Sequence, residues 1–346
     1  MKTEIIIIVW NKLEVTRDCL QSVISKTKAP FQILLIDNAS EEKTSVFLKS
    51  FASKYKANTR LIRNESNLGF VKAANQGLEE SNADFLCLLN NDTLVTDGWL
   101  NELISVATEN SEIGLLNPSS NTLGQKTCIG NIDVFARSLA KYHGQFEEMA
   151  QASGFCMLIK REVIEKIGKF DEIYGMGNFE DTDYSRRATQ VLFGCARAKA
   201  SYVYHRERTS FLKLKDYDTS FKKNQAIFYN RWGKPKRIFI EARRGLLPKQ
   251  ADKLLSLARA GNWIVLARGK NVNLPVPKHS NIKEVSFRGP IFEASCFFKI
   301  LKRMKKKYDY ILVQSAALKK ALTLLKPIHK AKVFNLREFK EFEIDD

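Results

Sequence analysis

Three apolar runs in the first hundred residues each break off at a polar side chain: EIIIIVWN at Asn11, FQILLIDN at Asp37 and DFLCLLNND at Asp92. Continuous apolar runs bounded this sharply have the pattern of strands buried on both faces. Between the first two, Val15, Cys19, Leu20, Val23 and Ile24 recur at helical spacing and predict an amphipathic helix. TSVFLKSFASKY and VKAANQGLEES are helical in pattern as well, on either side of a short RLIRN strand. This alternation predicts an α/β fold with a doubly wound, mostly parallel sheet. In such sheets ligands bind at the carboxyl ends of the strands, and that is where Asn11, Asp37 and Asp92 stand.

The rhythm weakens from about 111 to 150, where NPSSNTLGQKTC predicts a loop-rich region suited to shaping a pocket. GFCMLIKREVIEKIGKFDE then predicts a strand and a helix ending at Gly168. In YGMGNFEDTDYSRRATQVLFG, glycines and Asn178 precede a helix stopped by Gly194. CARAKASYVYHRERTS predicts a strand ending at His205, and a helix through FKKNQAIFYNRWGK closes the region. A smaller α/β pattern follows, so two domains are expected, 1–235 and 236–346. Its helix EASCFFKILKRMKKK places Phe297, Ile300, Leu301 and Met304 on one face and most of its basic residues elsewhere. Packing on the small sheet is the commoner use of such a face; lying on an anionic membrane surface is the other.

Charge sharpens this division. Of the net +18, residues 234–346 carry +16, with 26 Lys and Arg against 10 Asp and Glu. An anionic partner for that part is the implication, with a solvated basic surface as the plain alternative. Nucleic acid is not expected, because the tail shows no binding motif and no interleaving of aromatic with basic residues. No apolar run approaches the roughly 18 residues that span a bilayer, and the opening segment lacks the marks of a signal peptide. A cytoplasmic location is expected, at most peripheral at the inner face of the cell membrane. The six cysteines form no close pair and are expected to be buried, reduced thiols.

Four groups need a common chemistry: Asp37, the triplet Asn90 to Asp92, the carboxylates Glu180, Asp181 and Asp183, and His205. The triplet also has a structural reading as a turn former, and the carboxylates one as negative charge at a helix N-terminus. A strand-end Asp can also hold Mg²⁺ or Mn²⁺ together with a nucleotide diphosphate, with His205 as a nitrogen ligand.

Taken in order, these segments resemble the family-2 inverting glycosyltransferases of the GT-A fold, over roughly residues 3–233. IIIIVWN is similar to the family's opening strand, LLIDNAS to its nucleotide-base strand, NESNLGFVKAANQGL to its Asn-x-Gly-Phe segment, and LLNNDTLV to its metal-binding signature. GFCMLIKREVIEKIGKFDE and FEDTDYSRRA resemble its acceptor-side and Glu-Asp motifs, and VYHRERTS its late histidine. The resemblance implies a GT-A Rossmann-like domain followed by a smaller basic α/β domain. It also implies inverting transfer of a sugar from a UDP-, dTDP- or GDP-linked donor to a glycan or lipid-linked saccharide, in surface polysaccharide synthesis. Asp37, aided by Asn11, would bind the base or ribose; Asn67, Gly69, Asn75 and Asn91 would shape the nucleotide-sugar site. Asp92 and His205 would hold Mg²⁺ or Mn²⁺. Asp181 would be the general base, with Glu180 beside it and Arg187 shaping the site. The two asparagines before Asp92 depart from the commoner double carboxylate and look like rhamnosyltransferase-like members, which implies a dTDP-sugar. A catalytically idle nucleotide-sugar-binding scaffold is the competing reading.

Overall fold

The computed structural model describes residues 1–206, 217–303 and 306–340. The chain divides into two compact units, one of Met1–Glu147 and Gln151–Arg231, the other of Glu148–Ala150 and Trp232–Asp346.

In the first unit the expected alternation forms β1 (Thr3–Val9), α1 (Leu13–Lys26), β2 (Gln32–Asp37), α2 (Glu42–Lys54), β3 (Thr59–Arg63), α3 (Gly69–Glu80) and β4 (Phe85–Leu89). These strands are parallel in the order β3-β2-β1-β4, so the strand order switches between β1 and β4. All five residues of β4 are buried, as its unbroken apolar run requires. Ile5, Ile7, Leu35 and Leu89 share one core with Leu20 and Val23 of α1. Each large aliphatic side chain so buried contributes about 1.5–3 kcal/mol relative to exposure.

Along the chain follow β5 (Thr93–Val95), α4 (Trp99–Glu109), β6 (Ile113–Ser119), α5 (Ile132–Ser138), β7 (Phe146–Met149), β8 (Cys156–Lys160), α6 (Arg161–Ile167), α7 (Glu180–Gln190), β9 (Gly194–His205) and α8 (Tyr217–Trp232). β8 is antiparallel to both β4 and β6, β9 is parallel to β6, and β5 is antiparallel to β9. The sheet thus remains mostly parallel. The loop expected from residue 111 is corrected by β6, whose seven residues are all buried. Its polar end is tolerated there because Asn117 donates to Ser153 O and Cys156 O and accepts from Ser153 N. Cys128 is likewise exposed, against expectation, while the other five thiols are buried.

The second unit comprises β10 (Arg237–Ala242), α9 (Pro248–Arg259), β11 (Trp263–Gly269), β12 (Ile282–Phe287), α10 (Phe292–Leu301), β13 (Tyr310–Val313), α11 (Ala316–Leu324), α12 (Lys326–His329) and β14 (Lys332–Asn335). Its sheet is parallel throughout, in the order β12-β11-β10-β13-β14. β10 and β14 are absent from the sequence reading, although β10 is the central strand. α10 packs Phe292, Cys296 and Ile300 into the core and leaves Phe298 exposed; Met304 and Lys305 of the basic segment lie outside the described residues. Among the described residues no helix is long and apolar enough to cross a membrane.

Candidate active site

The carboxyl ends of β1, β2 and β3 carry a closed polar cluster. Asp37 is fully buried; one carboxylate oxygen accepts from Ser40 N at 2.8 Å and the other pairs with Arg63 from the end of β3. Asn11, in the left-handed region at φ 58°, donates its backbone N–H to Ser40 Oγ and accepts from Glu41 N. Asn38, next to Asp37, donates to Asn67 Oδ1 at 2.8 Å and accepts from Leu68 N and Asn64 Nδ2. The sequence reading missed Asn38, Arg63 and Asn64, though IDN and IRN both show the polar residue after an apolar strand that marked Asp37.

Other expected site residues serve as struts. Asn75 is buried, with its carboxamide paired both ways to the backbone of Phe170. A Cβ on Gly69, where φ is +80°, would lie 2.9 Å from Met176 Sδ, so this glycine admits the 175–177 loop. Asn91 donates to Thr16 Oγ1 and ties the end of β4 to α1. Arg187 spends its guanidinium on Asp183 and on the carbonyls of Ile167 and Lys169.

Asp92 and His205 meet because antiparallel pairing of β5 with β9 sets Thr93 opposite His205. Asp92 Oδ1 lies 3.1 Å from His205 Nε2. The imidazole stacks on Phe155, with ring centroids 5.1 Å apart. Asn121, also missed in the sequence, holds the His205 backbone by accepting its N–H and donating to its carbonyl. Two ligands about 2.1 Å from one small cation at a right angle stand about 3 Å apart. The oxygen and nitrogen donors present therefore fit a hard or borderline divalent cation, with further positions left to phosphate and water.

His205 lines a cavity of about 400 Å³ with Asn90, Gly154, Glu180, Asp181 and the rings of Phe70, Phe155, Phe179 and Phe221. Asn178 and Phe179, just before α7, both sit in the left-handed region at φ 73°, a costly conformation for non-glycine residues that recurs at functional sites. Asn224 of α8 holds this turn by donating to the carbonyls of Tyr174 and Gly177, and the Phe179 ring packs on Phe221 and Phe228. The turn directs the start of α7 into the cavity.

There the carboxylates divide. Asp181 accepts from Gly154 N at 3.0 Å and Thr182 N at 2.7 Å. Burial raises its pKa, and those amides act against the rise. Glu180 is 6% exposed, and its Oε2 has no hydrogen-bond partner among the described residues. Burial and the neighbouring Asp181 charge push its pKa up to about 8. Asp183 turns away and is held by Arg187, Arg231 and Tyr174. The cavity thus gathers Glu180, Asp181 and His205, while Asn11, Asp37 and Asn67 form the neighbouring strand-end cluster.

Residues 4–168 match the family model for glycosyl transferase family 2. This part of the chain is a family-2 glycosyltransferase domain. The chain is 24% identical over 195 residues to glycosyltransferase AglE of Haloferax volcanii, covering 54% of this chain and 61% of that protein. Against poly-beta-1,6-N-acetyl-D-glucosamine synthase of Staphylococcus epidermidis the identity is 22% over 167 residues, 47% of this chain and 40% of that one. The chain therefore spans less than two thirds of either relative. GalNAc-T7, solved with UDP, GalNAc and Mn²⁺, shares the fold at a TM-score of 0.51 and 16% identity, over 66% of this chain and 50% of its own. The family-2 domain has the mixed α/β, mostly parallel architecture of the GT-A glycosyltransferases.

Proposed function

We propose that this protein transfers a glycosyl group from a nucleoside diphosphate sugar to a hydroxyl of a growing glycan, with inversion at the anomeric carbon. The observation that supports this is the convergence on one cavity of the Glu180–Asp181 carboxylates and of His205, itself paired with Asp92. Asp37 and Asn11, with Asn38 and Asn67, would take up the base and ribose. Asp92 and His205 would hold Mg²⁺ or Mn²⁺, which when bound neutralises charge on the leaving diphosphate. Because Asn90 and Asn91 add no charge, cation affinity is expected to depend on the bound donor.

Asp181 is the proposed general base. It takes the proton of the acceptor hydroxyl as that oxygen bonds to the anomeric carbon; the bond from carbon to diphosphate oxygen breaks, and the diphosphate leaves with the electron pair. A raised pKa suits a base that works near neutrality. Glu180, kept neutral by burial and by the Asp181 charge, would offer a proton to a substrate oxygen through Oε2. The phenylalanine rings give the acceptor sugar apolar faces to lie on, and holding both substrates in line supplies much of the acceleration. Asn75, Gly69, Asn91 and Arg187 would act as positioning residues. The acceptor is a glycan or a lipid-linked saccharide, approached at an anionic membrane surface by the basic second unit.

Product configuration from an α-linked donor, read by NMR, tests the proposal. A β-linked product is expected, and an α-linked product would refute inversion. Asp181→Asn is expected to lower kcat by about 10²–10⁴ with little change in donor KM. Wild-type protein that binds donor yet neither transfers nor hydrolyses it would support the scaffold reading instead.

A further inference from the structure

The second unit contains a cavity of about 550 Å³ at the carboxyl ends of β10 and β13. Those strands are neighbours at the point where the order β12-β11-β10-β13-β14 reverses direction, the position at which open parallel sheets bind their ligands. Arg243, Arg244 and Arg337 line it, together with Glu241, Gln250, Glu293, Gln314 and Ser315. The turn from β10 into α9 begins Arg243-Arg244-Gly245, where a dinucleotide fold would have its glycine-rich phosphate loop.

The cavity is stiffened from both sides. Glu241 is 1% exposed and accepts from Gln314 N at 2.6 Å and Ser315 N at 2.9 Å, which ties the end of β10 to the amides before α11. Gln314 in turn accepts from Arg244 N and donates to Gly245 O. Arg243 is anchored on Gly289 O and stands 3.5 Å from Glu293. The arginine side chains therefore rise from a fixed rim. Three guanidinium groups line the cavity against two carboxylates, Glu241 bonded to the amides and Glu293 beside Arg243, and planar guanidinium forks match the oxygens of phosphate.

We propose that this cavity is a second ligand site, for a phosphate-bearing small molecule, with Arg244 and Arg337 as its principal anion-binding groups and Arg243 as a fixed partner. The phosphate belongs either to a soluble sugar or nucleoside phosphate or to a lipid headgroup; both present the same anionic oxygens. Every lining residue belongs to the second unit, so the site is independent of the proposed donor cavity.

Calorimetric titration of the full chain with inorganic pyrophosphate and with UDP, in EDTA buffer, tests this. Arg244 and Arg337 are exposed, so the Arg244→Gln/Arg337→Gln protein is expected to melt with the wild type. Its pyrophosphate Kd is expected to rise roughly tenfold or more for each charged partner lost. Lys320→Gln/Lys326→Gln, which removes equal charge away from the cavity, and Asp92→Ala are expected to leave Kd within about threefold. Vesicles of phosphatidylglycerol or of phosphatidylcholine alone form the other arm; retention on the former, displaced by pyrophosphate and lost in the arginine variant, would assign the phosphate to lipid. Absence of binding in both arms, or an equal loss in the lysine variant, would overturn the proposal.

Discussion

Glu180, Asp181 and Asp183 are three similar carboxylates within four residues, yet the structure gives each a different environment. Asp183 anchors a core ion cluster with Arg187 and Arg231. Asp183→Asn removes the buried charge that Arg187 and Arg231 share, although Arg231 keeps Asp171, and is expected to cost about 1–3 kcal/mol, read as a lower denaturation midpoint. Glu180 has its folded pKa raised above the unfolded value near 4.5 to about 8. The folded state therefore holds this proton more tightly, and its contribution to stability is full below pH 4.5 and is lost as pH rises towards 8. Glu180→Gln keeps the neutral shape without that loss. Its melting temperature relative to wild type is expected to climb between pH 5 and 8; a difference independent of pH would contradict a neutral Glu180. The carboxylates were legible as a group in FEDTD, and Asp92 and His205 were legible as polar ends of apolar runs. Their division of labour was not, because Arg231, Gly154 and Asn121 reach them from distant parts of the chain.

Strands and helices were most legible where burial is continuous. β1, β2 and β4 stand out because both faces are covered and nearly every side chain is apolar. β10 escaped notice because Glu241 interrupts a short apolar run, and the groups that satisfy it lie 73 and 74 residues away. β6 was hidden in the same way by Asn117 and Pro118. Buried polar side chains with remote partners are what local periodicity misses. The turn before α7 is another such case, held by Asn224 from α8. Asn224→Ala is expected to destabilise the fold by about 1–3 kcal/mol and to lower kcat more than it raises donor KM, since it loosens the base rather than the nucleotide cluster. Unchanged kinetics at full occupancy would show that the turn does not position Asp181.

On the scale of the whole molecule, charge is the property the sequence showed and the pairing geometry does not explain. Residues 234–346 hold nearly all of the excess, and the basic second unit is expected to retain the protein on anionic vesicles at low salt and release it as screening shortens to about 3 Å near 1 M. Failure to bind at low salt would remove the membrane from the proposal while leaving the chemistry of the first unit untouched. The proposed chemistry assigns a donor side to Asp92 and His205 and an acceptor side to Asp181. The most direct measurement is a thermal-shift comparison of wild type, Asp92→Ala and Asp181→Asn with UDP-, dTDP- and GDP-sugars, with and without Mn²⁺. A metal-dependent rise for one nucleotide class is expected in the wild type and in Asp181→Asn, and its loss in Asp92→Ala. No rise with any donor, or an equal rise in Asp92→Ala, would contradict the assignment of this cavity to a metal-assisted nucleotide sugar.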